Sequence, residues 1–146
     1  MSVRGMLVAA VLSAFLAAPA GAYEARVNYI LKCQGCHTAD GFSPERGRIP
    51  PLIDVVGYLT ILPEGRRYVA NVPGVVNSGL TNGETATLLN WVVKKFARAS
   101  MPATFKPFDA AEIAGWRKQR PDDPMRLRAK VEAELAAMGI SLGTYP

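Results

Sequence analysis

The five residues "CQGCH" at positions 33–37 constrain this chain more than any other stretch. Cys33 and Cys36 are its only two cysteines, and His37 is its only histidine, in 146 residues. Two thiols and an imidazole so placed suit three chemistries: a redox dithiol, a zinc site, or covalent attachment of haem. Zinc needs about four ligands, and three crowded ones make only part of a shell. A redox dithiol ordinarily opens a helix beside a strand in a βαβ unit, and the sequence has no convincing strand alternation. A structural disulfide, common in exported proteins, accounts for the cysteines and leaves the histidine unexplained. Haem attachment uses all three residues at once. The thiols add to the two vinyl groups, and His37 is set under the iron as proximal ligand. Haem is therefore the favoured reading, with a disulfide or a dithiol as the alternatives.

The N-terminus bears on the compartment. Arg4 gives a positive start, residues 5–18 form an uncharged, mostly apolar run, and Ala20-Gly21-Ala22 offers small residues for a signal peptidase. This pattern predicts a signal peptide over 1–22, cut after Ala22. An uncleaved anchor is the alternative, but the run is short for a span of about 20 residues. No later stretch is long and apolar enough to replace it. The expectation is an exported, periplasmic, soluble protein without stable membrane insertion. From Tyr23 onward about 124 residues remain, the size of one small domain. Lys and Arg total 17 against 12 Asp and Glu; losing Arg4 leaves 16, near +4. That balance favours solubility and encounter with acidic surfaces. The basic residues are scattered rather than striped, so no nucleic-acid partner is expected.

Helical spacing dominates the rest. Val27, Ile30 and Leu31, with Tyr23 near the same stripe, predict a short helix running into Cys33. Gly, Pro, Ser and Asp crowd residues 38–51 and mark a loop. "LIDVVGYLTIL" reads as a short apolar turn broken at Gly57, and "PEGRRYVANVPGVVNSG" as mostly irregular structure. The clearest helix is Leu80–Ala97, with Thr81 or Asn82 as cap, Glu84 in its first turn and Lys94 and Lys95 in its last. Its apolar side is Leu88, Leu89, Trp91, Val92 and Phe96. Asp109–Arg120 and a last helix from Pro124 to Gly139 follow. The fold class expected is all-α with long loops. Helices this short bury little apolar surface for a small domain, so a large apolar cofactor is expected to complete the core.

"CQGCH", then Pro50, Leu52 and Gly57, then Met101-Pro102, together resemble a small monohaem class I cytochrome c over about Tyr23 to Arg120. The resemblance implies a cytochrome c-like fold, with short helices and long loops wrapped around one covalent haem c. It divides the chain into a domain over 23–120 and a helical extension over 121–146. It further implies that the carbonyl of Pro50 takes a hydrogen bond from the other nitrogen of His37, a contact that fixes the ring and tunes the metal. Met101, in a loop ahead of the Asp109 helix, matches the place where that family presents its second axial ligand. Met125 and Met138 lie on the last helix and read as core packing. The expected cofactor-binding set is thus Cys33, Cys36, His37, Pro50 and Met101, with His37 and Met101 on the metal.

Iron held by His and Met has no open position, so the expected function is one-electron transfer rather than catalysis. The expected partners are redox proteins, a periplasmic dehydrogenase on one side and an oxidase or reductase on the other. If Met101 is not bound, a five-coordinate sensor or peroxidase-like protein becomes the alternative, although the chain has no second histidine to act as distal acid or base. A fixed subunit of a larger oxidoreductase is the third reading, with the extension as its docking element. The extension's alternating charges suggest a solvated outer face, and Leu127, Val131, Leu135 and Met138 could pack on the domain or on a partner. Arg46, Arg48, Arg66 and Arg67 are either solvated or, for one or two of them, partners of haem propionates.

Overall fold

The computed structural model of the protein describes residues 20–43 and 49–143, with side chains from residue 24 onward. The expected leader, apart from 20–22, lies outside the described residues, as do Arg46 and Arg48. Among the described residues there are eight α-helices, one 3-10 turn and no strand, so the fold is all-α. In chain order the helices are α1 (Ala20–Lys32), α2 (Gln34–His37), α3 (Val56–Leu59), α4 (Pro63–Asn71), α5 (Pro73–Val76), α6 (Asn82–Phe96), α7 (Ala110–Lys118) and α8 (Pro124–Ala137). The 3-10 turn, Arg98–Ser100, follows α6.

Helix α6 is the central element, and its ends are fixed chemically. Thr81 Oγ1 accepts from the Glu84 N–H at 3.2 Å while the Glu84 carboxylate accepts from the Thr81 N–H at 2.7 Å, closing a capping box. Lys94 and Lys95 occupy its last turn, where a cation meets the negative helix end. Leu88, Leu89, Val92, Val93 and Phe96 are buried. Helix α1 packs on α6 through a tilted cluster in which Tyr29 lies 5.2 Å from both Trp91 and Phe96. The buried stripe of α1 is Ala25 and Tyr29, four apart, with Cys33 following. Ile30 and Leu31, expected on the inner side, are exposed. The aromatic contact to α6 sets the rotation of α1, and it turns these two aliphatic residues outward.

The segment expected to be irregular after residue 62 is instead α4 and α5. Pro63 and Pro73 each stand in the first turn, where the missing N–H has no helical partner to lose and the fixed φ is already helical. Tyr68, Val69 and Ala70 of α4 are buried. Helix α7 is capped by Asp109, whose Oδ1 accepts from the Glu112 N–H at 2.8 Å, and it packs on both α6 and α4.

The expected extension is part of the core. Asp123 Oδ1 caps α8 by accepting from the N–H groups of Met125 and Arg126, and Leu127, Val131 and Leu135 are buried in the same cluster as Tyr29 and Phe96. Helix α8 packs against α4, and Met138, beyond its end, is exposed. Leu127, Val131 and Leu135 repeat at four-residue intervals, which gives one apolar face despite the charges between them.

Candidate functional site

The carbonyl of Cys33 closes the α2 turn, accepting from the N–H groups of Cys36 at 3.1 Å and His37 at 2.9 Å. One turn of helix thereby sets two thiols and an imidazole on a single short platform. The platform ends at Thr38, whose φ of 55° lies in the left-handed region. Three bonds hold that conformation. The Tyr29 hydroxyl donates to the Thr38 carbonyl at 2.6 Å, and Thr38 Oγ1 reaches the Phe42 carbonyl at 2.8 Å and Asp40 Oδ1 at 2.5 Å. Past it, Gly41 takes a φ of 82° and lies so close to the Phe96 ring that a Cβ would stand 2.6 Å from it. Its carbonyl accepts the Leu52 N–H at 2.8 Å. The loop therefore folds back and brings Pro50 and Leu52 to the platform.

Cys33, Cys36, His37 and Pro50 line one cleft of ≈ 370 Å³, within the usual size range of small-molecule sites. Its walls are mostly aliphatic, with Val56 and Leu59 from α3, Val69 from α4 and Leu88, Leu89 and Val92 from α6. His37 sits with Nδ1 buried and in no closed hydrogen bond. Burial lowers the pKa of the ring, and the nearby carbonyl of Pro50 partly offsets the shift. The imidazole is thus neutral at pH 7, the form in which it binds a metal. Pro50 rather than Pro51 acts on the ring, although both line the cleft.

The Cys33 thiol is pushed up to about 11, first by burial and then by Cys36. Reactive dithiols have depressed pKa values, so this environment weighs against the redox alternative. Among the described residues no group of three or more His, Cys, Asp and Glu could hold a metal ion. A structural zinc site takes four ligands from the chain, whereas haem iron takes only axial ligands from it.

Met101 does not line the cleft. It follows Ser100, whose Oγ accepts the Gly57 N–H at 3.1 Å. Val56 and Leu59 line the cleft, while Gly57 packs against Ser100. Arg66 and Arg67 do not line it either. Arg66 is bound bidentately by Glu112, and Arg67 by the Gln119 carbonyl and Glu64.

Two residues of α8 also line the cleft: Met125, read from the sequence as core packing but 64 % exposed, and Arg128, which the sequence did not single out. Arg128 is only 3 % exposed. Its Nε meets Glu132 Oε1 at 2.7 Å, and its guanidinium lies 5.7 Å from the Tyr68 ring centroid, within cation–π range. The sequence signal was available in part. Positions 125 and 128 are three apart and so share a helix face, next to the apolar stripe begun by Leu127. Compared with known families, curated proteins and solved structures, the chain matches no family model, no curated protein and no solved structure.

Proposed function

We propose that the chain is an exported one-electron carrier that holds one covalent haem in the cleft, attached through Cys33 and Cys36. One observation carries the reading. The only two thiols and the only imidazole of the chain stand together at one aliphatic cleft, with the imidazole half-buried and its pKa lowered by that burial. A disulfide between Cys33 and Cys36 would not call for the cleft or the histidine beside it.

Haem held there by Cys33 and Cys36 would supply one-electron redox chemistry between a reduced and an oxidised protein partner. The remaining work belongs to the chain. Cys33 and Cys36 fix the group in one orientation. His37 would present a neutral ring, and the nearby carbonyl of Pro50 would help to orient it. Leu88, Leu89 and Val92 exclude water from one wall. The net charge, near +4 once the leader with Arg4 is lost, favours encounter with acidic faces of the donor and acceptor. A periplasmic dehydrogenase and an oxidase or reductase fit these roles.

The test is covalent attachment. The full chain is produced with a haem-attachment system and denatured in acidic organic solvent. The expected result is haem retained on the polypeptide, with a mass one haem above that of the chain. A mass for free or disulfide-linked cysteines would overturn the reading.

A further inference from the structure

We propose that Tyr29 is a positioning residue for His37: its hydroxyl holds the strained turn that follows the histidine, and through that turn it sets the reduction potential. This rests on the proposed haem and goes beyond it by giving one hydroxyl of α1 a part in tuning the carrier. Tyr29 stands four residues before Cys33 and is only 2 % exposed. Its ring packs 5.2 Å from both Trp91 and Phe96, and a phenylalanine ring would make the same two contacts. The hydroxyl is therefore not needed for packing, yet a buried hydroxyl left without a partner is costly. It donates to the Thr38 carbonyl at 2.6 Å and lies 3.4 Å from the His37 carbonyl. Both acceptors belong to the histidine or to the residue directly after it.

Thr38 needs that bond. Its φ of 55° and ψ of 173° place it at the edge of a region that is essentially glycine's alone, and a β-branched residue at positive φ is an outlier. Its own hydroxyl cannot hold the turn unaided. That hydroxyl has one proton and three acceptors in reach: the His37 carbonyl at 2.7 Å, Asp40 Oδ1 at 2.5 Å and the Phe42 carbonyl at 2.8 Å. Without the Tyr29 bond, Thr38 relaxes toward negative φ, and the chain leaves α2 in another direction. The loop that returns Pro50 to the platform starts from this turn, so the Pro50 carbonyl, which acts on the His37 ring, shifts with it. A carbonyl that accepts from the free nitrogen of a metal-bound imidazole makes the ring a stronger donor to the metal. Loosening that contact weakens the donor and favours the reduced form.

The experiment uses the full chain, loaded with haem, and reads the reduction potential and the ferric electron paramagnetic resonance, whose g-values follow the orientation of the imidazole. Covalent haem is verified first by mass, and helix content by circular dichroism, in every variant. Y29F should attach haem and keep the wild-type helix content, yet show a higher potential and shifted g-values. T38G removes the strain, because glycine adopts that backbone freely. Y29F/T38G should therefore match T38G in both readouts. A purely structural role for Tyr29 predicts instead an equal fall in Tm in the two backgrounds, with potential and g-values unmoved. The proposal is overturned if Y29F keeps the wild-type potential and g-values, lowers the potential, or loses helix content. It is equally overturned if Y29F shifts both readouts as much in the T38G background as in wild type. A wild-type chain without covalent haem overturns the haem reading and this proposal together, whereas haem on wild type with an unmoved Y29F overturns this proposal alone.

Discussion

Replacing Arg66 with methionine should cost stability and leave the cleft untouched. The guanidinium joins three parts of the chain. Nε and Nη2 donate to the two carboxylate oxygens of Glu112 at 2.6 and 2.7 Å, Nη1 donates to the Lys106 carbonyl at 2.8 Å, and the group stacks 3.9 Å from the Phe108 ring centroid. Removing one member of a buried ion pair costs about 3–5 kcal/mol. The side chains here keep 10 % and 16 % exposure, so the lower end, about 3 kcal/mol, is expected. In a chain of this size that lowers Tm by roughly 10 °C. The assay is thermal melting followed by circular dichroism at 222 nm on the haem-loaded protein. R66M/E112L should recover much of the loss, because a charge-free pair leaves no buried ion without a partner.

The pH dependence has a definite sign. Burial raises the Glu112 pKa, but hydrogen bonds from Arg66 and Trp116 and the charges of Arg66 and Lys106 outweigh it and hold the carboxyl below its ordinary value. The contribution is complete above the unfolded value of about 4.3 and is lost as pH falls through the lower folded value. The gap between wild type and R66M should therefore narrow in acid. A loss below about 1 kcal/mol, the range of an exposed pair, would refute the reasoning. So would a shift in haem spectrum, which would return Arg66 to the propionate role considered from sequence.

Two further predictions concern packing. G57A should cost about 2 kcal/mol by overpacking, since its Cβ would fall 2.6 Å from the Ser100 carbonyl carbon and 2.7 Å from its Oγ. G115A, where nothing lies within 4 Å, is the control and should be neutral or slightly stabilising in urea denaturation. C33S/C36S, which has no covalent haem, should be molten. A cleft of ≈ 370 Å³, at about 24 cal/mol per Å³, forfeits at most roughly 9 kcal/mol, comparable with the whole stability of a small domain. A cooperative melt and dispersed amide signals from this variant would count against the prediction.

What the sequence made legible was local chemistry. The α6 capping box, the Asp109 cap and the proline that opens α8 were readable because caps act within four residues of themselves. The thiol and imidazole cluster was readable for the same reason. Prolines misled at α4 and α5, where Pro63 and Pro73 open helices that their number and the nearby glycines disguised as loop. Met101 was placed by its loop and its order in the chain. The Gly57–Ser100 bond that ties the residue before it to α3 spans 43 positions, and no local pattern encodes it. The burial of Arg128 was hidden likewise, because its charge suggested solvent while its helix face points to Tyr68.

The packing of α8 has a consequence for biosynthesis. Cys33 and Arg128 line one cleft yet stand 95 positions apart. A ribosome adding about 5–20 residues per second takes roughly 5–20 s to cover that interval. For that time the nascent chain carries both thiols and the imidazole without the helix that walls them in. A chain cut short after residue 121 would keep every residue of "CQGCH" and still lack one side of the site. Intact cysteines are therefore a poor guide to an intact protein.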